Sequence, residues 1–351
     1  MKISFVLPGF SRVPVGGYKM VFEYANRLVR HGFQVQIIFI NNNSMNKIKA
    51  PFLIKKCLMS LATHYEPDWF SLDKRIKKIS YYSFDFSQEI KTDVAIATAV
   101  ETVLPTQKIF VKARKFYFIQ DYEDWNVSRE YLHSTYKLGF KNIVIAKWLK
   151  KVVDRYSNIP SIYIQNPIDL HRYLVKKSIE DRNKYTIGML YHSAMYKGSK
   201  PTLESLMHLK RKYPKLKIVM FGTCEPPKNL PNWVKFYKNA SQQKTIEIYN
   251  EISIFVSGSI KEGFGLTGLE AMACGAALVT TNFDGAKEYA KNEVNSLVVP
   301  VKDWDGISEK VQMLIDDDEY RIRLAQNGVK SANRFSWDKA YNKFSSALKE
   351  N

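Results

Sequence analysis

Two carboxylates eight positions apart, Glu262 and Glu270, bracket Gly263, Gly265 and Gly268 in the run KEGFGLTGLEAMACG. Ionised carboxylates accept hydrogen bonds from sugar hydroxyls, and glycines let a backbone approach a ligand closely. The apolar run Ile252–Ser257 just before them reads as a buried strand, so the loop belongs at the carboxyl edge of a sheet. A helix starting near Leu266 or Thr267 aims its first N–H groups back at that loop, which makes an anion site. Glu262 then lies in the loop, and Glu270 follows Thr267 by three residues, so both carboxylates face it. The segment thus offers a phosphate cradle with two acceptors. Gly263–Gly268 also fits G-x-G-x-x-G, but a dinucleotide signature opens the first βαβ unit and has an acid about 20 residues later. Here the pattern sits in the second half, and its acid lies inside the helix. A glycine-rich helix start that serves only packing is the plainer alternative.

The elements that position this segment can be read from the alternation of apolar runs. Ile3–Leu7, then Tyr18–His31 at helical spacing with Gly32 as its stop, then Val35–Ile40 make an opening βαβ unit. Val94–Thr98, Lys115–Ile119, Asn142–Ala146 and Ser161–Ile164 read as further strands, whereas residues 41–90 carry no readable pattern. The break at Asn166-Pro167-Ile168-Asp169 marks a domain junction. Beyond it, Tyr185–Leu190, Lys217–Phe221, Val234–Tyr237, Ile252–Ser257, Ala277–Thr281 and Ser296–Val299 repeat the layout. Alternation of this kind predicts two α/β domains with doubly wound parallel sheets, residues 1–168 and 169–335. An amphipathic helix over about 336–351 is expected to pack back on the first. Such sheets bind ligands at the carboxyl ends of their strands. The 351 residues suit two domains, and 45 % apolar content supplies two cores.

Net charge is +19, and residues 1–165 hold 25 basic against 13 acidic side chains. Polyanionic or phosphorylated partners suit such a balance, as does a simple solvated basic surface. The three cysteines, Cys57, Cys224 and Cys274, are scattered, which fits a reducing cytoplasm better than a disulfide frame or a zinc site. No apolar run nears the roughly 20 residues of a membrane span. The N-terminus reads as a strand ended by Pro8-Gly9 rather than as a signal peptide.

Residues 262–275 resemble the signature of the family-4 retaining glycosyltransferases, EGFGL-x-x-LEAMA-x-G. The likeness extends through Ala277–Thr281, Gly285 and Glu288, Asn295–Val299, and Phe335-Ser336-Trp337. It is strong over about 185–340 and weak before that. The resemblance implies a GT-B architecture, two Rossmann-like domains facing across a cleft. The C-terminal domain would hold a nucleotide-diphosphate sugar and the N-terminal one the acceptor. It implies that Glu270 hydrogen-bonds the ribose and Glu262 contacts the donor sugar. The backbone at Gly263, Phe264, Gly265, Leu266 and Thr267 would hold hydroxyls and phosphate. Lys197-Gly198 stands at the family's K-G, where a lysine neutralises the leaving diphosphate; a solvated surface charge is the bland alternative. Gly16-Gly17 matches a loop that approaches donor phosphate and acceptor, or is a tight turn.

Two departures stand out. The family's G-R arginine is missing after Gly188, which leaves phosphate neutralisation to Lys197 and the helix terminus; His192 nearby is either a helper there or, as the plainer reading, a structural histidine. Gln120-Asp121 replaces the functional histidine that many relatives carry after this strand, so Asp121 is the candidate for positioning the acceptor, against a helix-capping role. Q-D-Y after a strand, with no G-R arginine, is similar to some rhamnosyltransferases of this family.

The expected activity is retaining, metal-independent transfer of a sugar to a saccharide or lipid-linked saccharide in cell-surface polysaccharide synthesis. Lys197 and the helix dipole would take the place of a divalent cation, and no metal site or other cofactor is expected. Asp316–Asp318 reads as a solvated helix end, and Asp121–Asp124 has the wrong spacing for a metal. Lys47, Lys49, Lys55 and Lys56 beside Phe52-Leu53-Ile54, and Lys147 to Lys151 around Trp148, suit an anionic membrane face or plain solvent. A nucleotide-sugar epimerase or phosphorylase shares the fold. An NAD(P)-dependent oxidoreductase lacks its glycine motif here, and no nucleic-acid-binding motif appears.

Overall fold

The computed structural model describes residues 1–41, 49–81 and 90–350, except for the side chain of Phe52. The chain divides into two compact units, Met1–Gln165 with Tyr341–Asn351, and Asn166–Ala340. The junction thus falls at 165/166 where the sequence suggested 168/169.

In the first unit, β1 (Lys2–Leu7), α1 (Gly16–Arg30) and β2 (Gln34–Ile40) form the expected opening. They are followed by α2 (Phe52–Tyr65), β3 (Lys77–Tyr81), β4 (Val94–Ala97), α3 (Val100–Ile109), β5 (Arg114–Ile119), α4 (Arg129–Thr135), β6 (Lys141–Val144), α5 (Lys147–Tyr156) and β7 (Ile162–Tyr163). The sheet is parallel with strand order β3-β2-β1-β4-β5-β6-β7. Its strands β1, β2 and β4 are buried on both faces, which explains their continuous apolar runs. Helix α1 buries Met20, Val21, Tyr24, Ala25 and Leu28. It stops at Gly32, whose φ of 84° lets Gly32 N and Phe33 N reach back to the carbonyls of Val29 and Leu28. Two elements, α2 and β3, have no counterpart in the sequence reading.

The second unit runs β8 (Thr186–Leu190), α6 (Ser199–His208), β9 (Lys217–Gly222), β10 (Val234–Lys238), α7 (Gln242–Glu251), β11 (Ile254–Ser257), α8 (Leu266–Ala273), β12 (Ala277–Thr281), β13 (Leu297–Val299), α9 (Trp304–Asp316) and α10 (Asp318–Ala332). All its strands are parallel, in the order β10-β9-β8-β11-β12-β13. The core gathers Ile187, Met189, Ile218, Met220, Ile254, Val256 and Val279 with the inner faces of α6 and α9.

The last helix, α11 (Trp337–Lys349), gives its residues from Tyr341 onward to the first unit. There Phe344 stacks on Tyr24 at 4.1 Å and on Phe5 at 6.3 Å between ring centroids. Each aromatic side chain so buried stabilises by about 1.5–3 kcal/mol, so the first unit depends on the chain's final residues.

Candidate active site

In each sheet the chain winds outward in one direction and then crosses to the other side of its first strand. The crossing falls between β1 and β4 in the first unit and between β8 and β11 in the second. Loops leaving two adjacent strands in opposite directions open a crevice at their carboxyl ends. In the second unit those loops are 191–198 and 258–265, and they carry Lys197 and Glu262.

The two loops are tied together. Ile260 N donates to the Tyr196 carbonyl at 2.8 Å, and Lys261 N to the same oxygen at 3.3 Å. Gly198, at φ 58°, lies so close that a Cβ there would stand 2.0 Å from the Gly258 carbonyl oxygen. The K-G pair is therefore a close-approach device: the glycine lets the lysine's turn lie against the β11 exit. Lys197 Nζ sits 3.1 Å from Glu262 Oε2, with both side chains largely buried. Ser259 Oγ donates to the other Glu262 oxygen, and the Ser259 carbonyl accepts from the Thr281 hydroxyl on β12. A small cavity beside the pair is lined by Ser199, Ser257 and Thr267.

Helix α8 starts where the sequence placed it. Gly265 precedes it at φ 82°, a conformation costly for residues with a Cβ, and a Cβ there would meet the Phe283 ring at 2.6 Å. The Tyr289 hydroxyl donates to the Gly265 carbonyl at 2.7 Å, and burial raises its pKa. This bond fixes the loop so that the first-turn amides of α8 are held at the crevice rather than frayed. Phe264 is buried, and its backbone lies 2.7 Å from where a Gly285 Cβ would stand.

Glu270, one turn into α8, is buried and accepts a hydrogen bond from Tyr249 OH at 3.3 Å. Arg182 secures this pair from below. Its buried guanidinium donates to the carbonyls of Tyr249, Ile252 and Cys274, joining the ends of α7 and α8. Desolvation lowers its pKa to about 10, so it stays cationic at neutral pH. Burial pushes the Cys274 thiol up to about 12, which makes it an inert packing group. Neither Tyr249 nor Arg182 had a sequence signal, since each lies far in sequence from the acid it supports.

His192 follows β8. Its Nδ1 accepts from Ala194 N at 3.0 Å, which requires a neutral ring. Burial, then the Lys197 charge, lowers its pKa. It shapes the turn that delivers Lys197, as expected for a structural histidine.

In the first unit, Gly16-Gly17 opens α1 at the carboxyl edge of β1. Gln120 Nε2 donates to the Gly17 carbonyl at 3.1 Å, and a Cβ on Gly17 would stand 3.3 Å from that nitrogen. A side chain at position 17 would thus crowd the residue preceding Asp121. Asp121 Oδ1 accepts from Tyr122 N at 2.8 Å. The nearby helix start is served instead by Glu123, which accepts from Val100 N, the first residue of α3, and from Tyr117 OH. Burial raises the Glu123 pKa from 4.5 to about 8. The first unit therefore brings Gly17 to Gln120 and leaves the capping to Glu123, a residue the sequence did not distinguish from its acidic neighbours.

Two parallel α/β units, the second with a cation–carboxylate pair over a helix N-terminus at its switch point, define a class of fold and site. Comparison with solved structures gives the fold its name. Sucrose-phosphate synthase from Thermosynechococcus elongatus matches 99 % of this chain and 98 % of its own with a TM-score of 0.78 at 14 % identity. HepE from Anabaena, solved with UDP and glucose, matches 99 % of both chains with a TM-score of 0.76 at 15 % identity. This is the GT-B fold.

Residues 174–331 match the model of glycosyl transferases group 1. The chain is 24 % identical over 337 residues to N,N'-diacetylbacillosaminyl-diphospho-undecaprenol alpha-1,3-N-acetylgalactosaminyltransferase of Campylobacter jejuni, covering 88 % of this chain and 84 % of that one. It is 28 % identical over 184 residues to the capsular polysaccharide biosynthesis glycosyltransferase CapM of Staphylococcus aureus, covering 48 % of each. Most of the second unit thus matches the group 1 model, and the chain is a glycosyltransferase.

Proposed function

We propose that the enzyme is a retaining, metal-independent glycosyltransferase that takes a sugar from a nucleotide-diphosphate donor to a saccharide or lipid-linked saccharide in cell-surface polysaccharide synthesis. The observation that carries the reading is the Lys197–Glu262 pair at the switch point between β8 and β11, beside the first turn of α8. An incoming diphosphate would draw Lys197 Nζ from Glu262 to its own oxygens and release Glu262 to accept from a donor sugar hydroxyl. As the glycosidic bond to the diphosphate breaks, negative charge grows on the leaving oxygen. Lys197 and the α8 amides stabilise it through fixed charge that needs no reorganisation. Glu270, held by Tyr249, accepts from the ribose. The acceptor hydroxyl is oriented from the first unit, with Asp121 as its partner.

The relative from Campylobacter jejuni bears the name of a lipid-linked saccharide transferase, and that from Staphylococcus aureus a capsular one. Both names support the acceptor class proposed here, and action at the cytoplasmic face of the membrane is proposed with it. No described helix is long and apolar enough to cross a membrane.

The test is transfer from UDP-, GDP- and dTDP-sugars in EDTA, with the product's anomeric configuration read by NMR. Transfer in EDTA with the donor's configuration kept supports the reading. An inverted product, or transfer that requires added Mg2+ or Mn2+, overturns its mechanistic part.

A further inference from the structure

Helix α2 carries most of its described apolar side chains on the wrong side for a folded core. Met59 and Thr63, one turn apart, are the buried positions among its described side chains. At 100° per residue, Lys55 and Lys56 fall on that same half. The opposite half presents Ile54, Cys57, Leu58, Leu61 and Tyr65 as one stripe, with Leu53 at its margin. Leu53, Ile54, Leu58, Leu61 and Tyr65 are 74, 52, 47, 58 and 73 % exposed. Scattered exposed apolar residues are ordinary; a continuous stripe along four turns marks a surface that is covered in use.

Charge decides what covers it. Behind the helix, Lys56, His64, Lys74, Lys77 and Lys78 line a cavity of about 1000 Å3. Lys78 donates to the carbonyls of His64 and Glu66, so its ammonium helps hold the end of α2. Lys49 is exposed just ahead of the helix, whereas Lys47 lies outside the described residues. A second copy of this chain would bring one +19 protein against another with these lysines close behind each stripe. A surface of lipid phosphates offers the opposite charge and an apolar phase together, which an interfacial helix requires.

We propose that α2 is a membrane-docking helix, which inserts Ile54, Leu58, Leu61 and Tyr65 among the acyl chains of an anionic bilayer while the lysines around it meet the lipid phosphates. This deepens the membrane contact proposed above by naming the surface. It stands apart from the donor site, whose integrity is followed separately by nucleotide binding.

The experiment is sedimentation of the full chain with phosphatidylcholine vesicles containing or lacking phosphatidylglycerol, for wild type, L58E/L61E and K55E/K56E. Cys57, in the stripe, takes a polarity-sensitive fluorophore. The expected result is pelleting only with phosphatidylglycerol and a blue shift of the Cys57 probe. Both variants should lose at least tenfold in vesicle affinity with nucleotide binding unchanged. Three results overturn the proposal: a wild type that stays in the supernatant, variants that pellet like wild type, or a wild-type dimer that L58E/L61E converts to monomer without changing vesicle affinity.

Discussion

The two units share a winding scheme but build their carboxyl edges differently. In the second, opposite charges stand together at the switch point: Lys197 against Glu262, with Glu270 buried behind them. In the first, the edge is held by neutral contacts, Gln120 to Gly17, and by a buried Glu123 whose pKa is pushed to about 8. The difference suits the division of labour proposed here. A departing diphosphate needs fixed charge, whereas orienting an acceptor hydroxyl needs a rigid edge with one acceptor group upon it.

The comparison can be broken most directly at Lys197. Lys197→Ala is expected to lower kcat by about 10²–10³-fold, the usual cost of losing one group that stabilises developing charge. Asp121→Asn should leave nucleotide affinity unchanged and raise the KM for acceptor. A wild-type kcat in the first variant, or weakened nucleotide binding in the second, would erase the division. Gly198→Ala tests the scaffold under the charges. With its Cβ 2.0 Å from the Gly258 carbonyl, it should cost about 1–3 kcal/mol of backbone strain, read as a lower Tm with weakened nucleotide binding. Glu270→Ala should raise the nucleotide Kd about 10- to 150-fold, since a hydrogen bond to a charged group contributes about 1.5–3 kcal/mol; isothermal titration reads it directly.

Glu123 gives the effect most specific to the first unit. Its folded pKa lies above its unfolded value, so the neutral group's contribution to stability is fully present below about pH 4.3. That contribution is lost as pH rises towards 8. Glu123→Gln should therefore flatten the decline of Tm between pH 5 and 8 and be relatively more stable at pH 8. A variant with the same pH slope as wild type would show that Glu123 does not titrate in this range.

The sequence was uneven in what it disclosed, for physical reasons. The segment around Glu262 was legible because its strand is buried on both faces and its helix start needs glycine, so composition and spacing were both constrained. Strand β3, Lys77–Tyr81, was not: it is a short edge strand whose lysines break any apolar run. Helix α2 was illegible because its apolar stripe faces outward, which defeats a reading that assumes apolar means inside. Among Asp121, Glu123 and Asp124 nothing local says which acid is buried; Tyr117 and Val100, brought in by the sheet, decide it.

The central claim is that the second unit holds a nucleotide-diphosphate sugar through Lys197 without a metal. Thermal unfolding of wild type and Lys197→Ala against UDP, GDP, dTDP and their sugars, with and without EDTA, tests it in one experiment. The account predicts that one nucleotide class raises the wild-type Tm equally in both buffers and raises the variant's far less. Stabilisation that vanishes in EDTA, or that Lys197→Ala keeps in full, would contradict it.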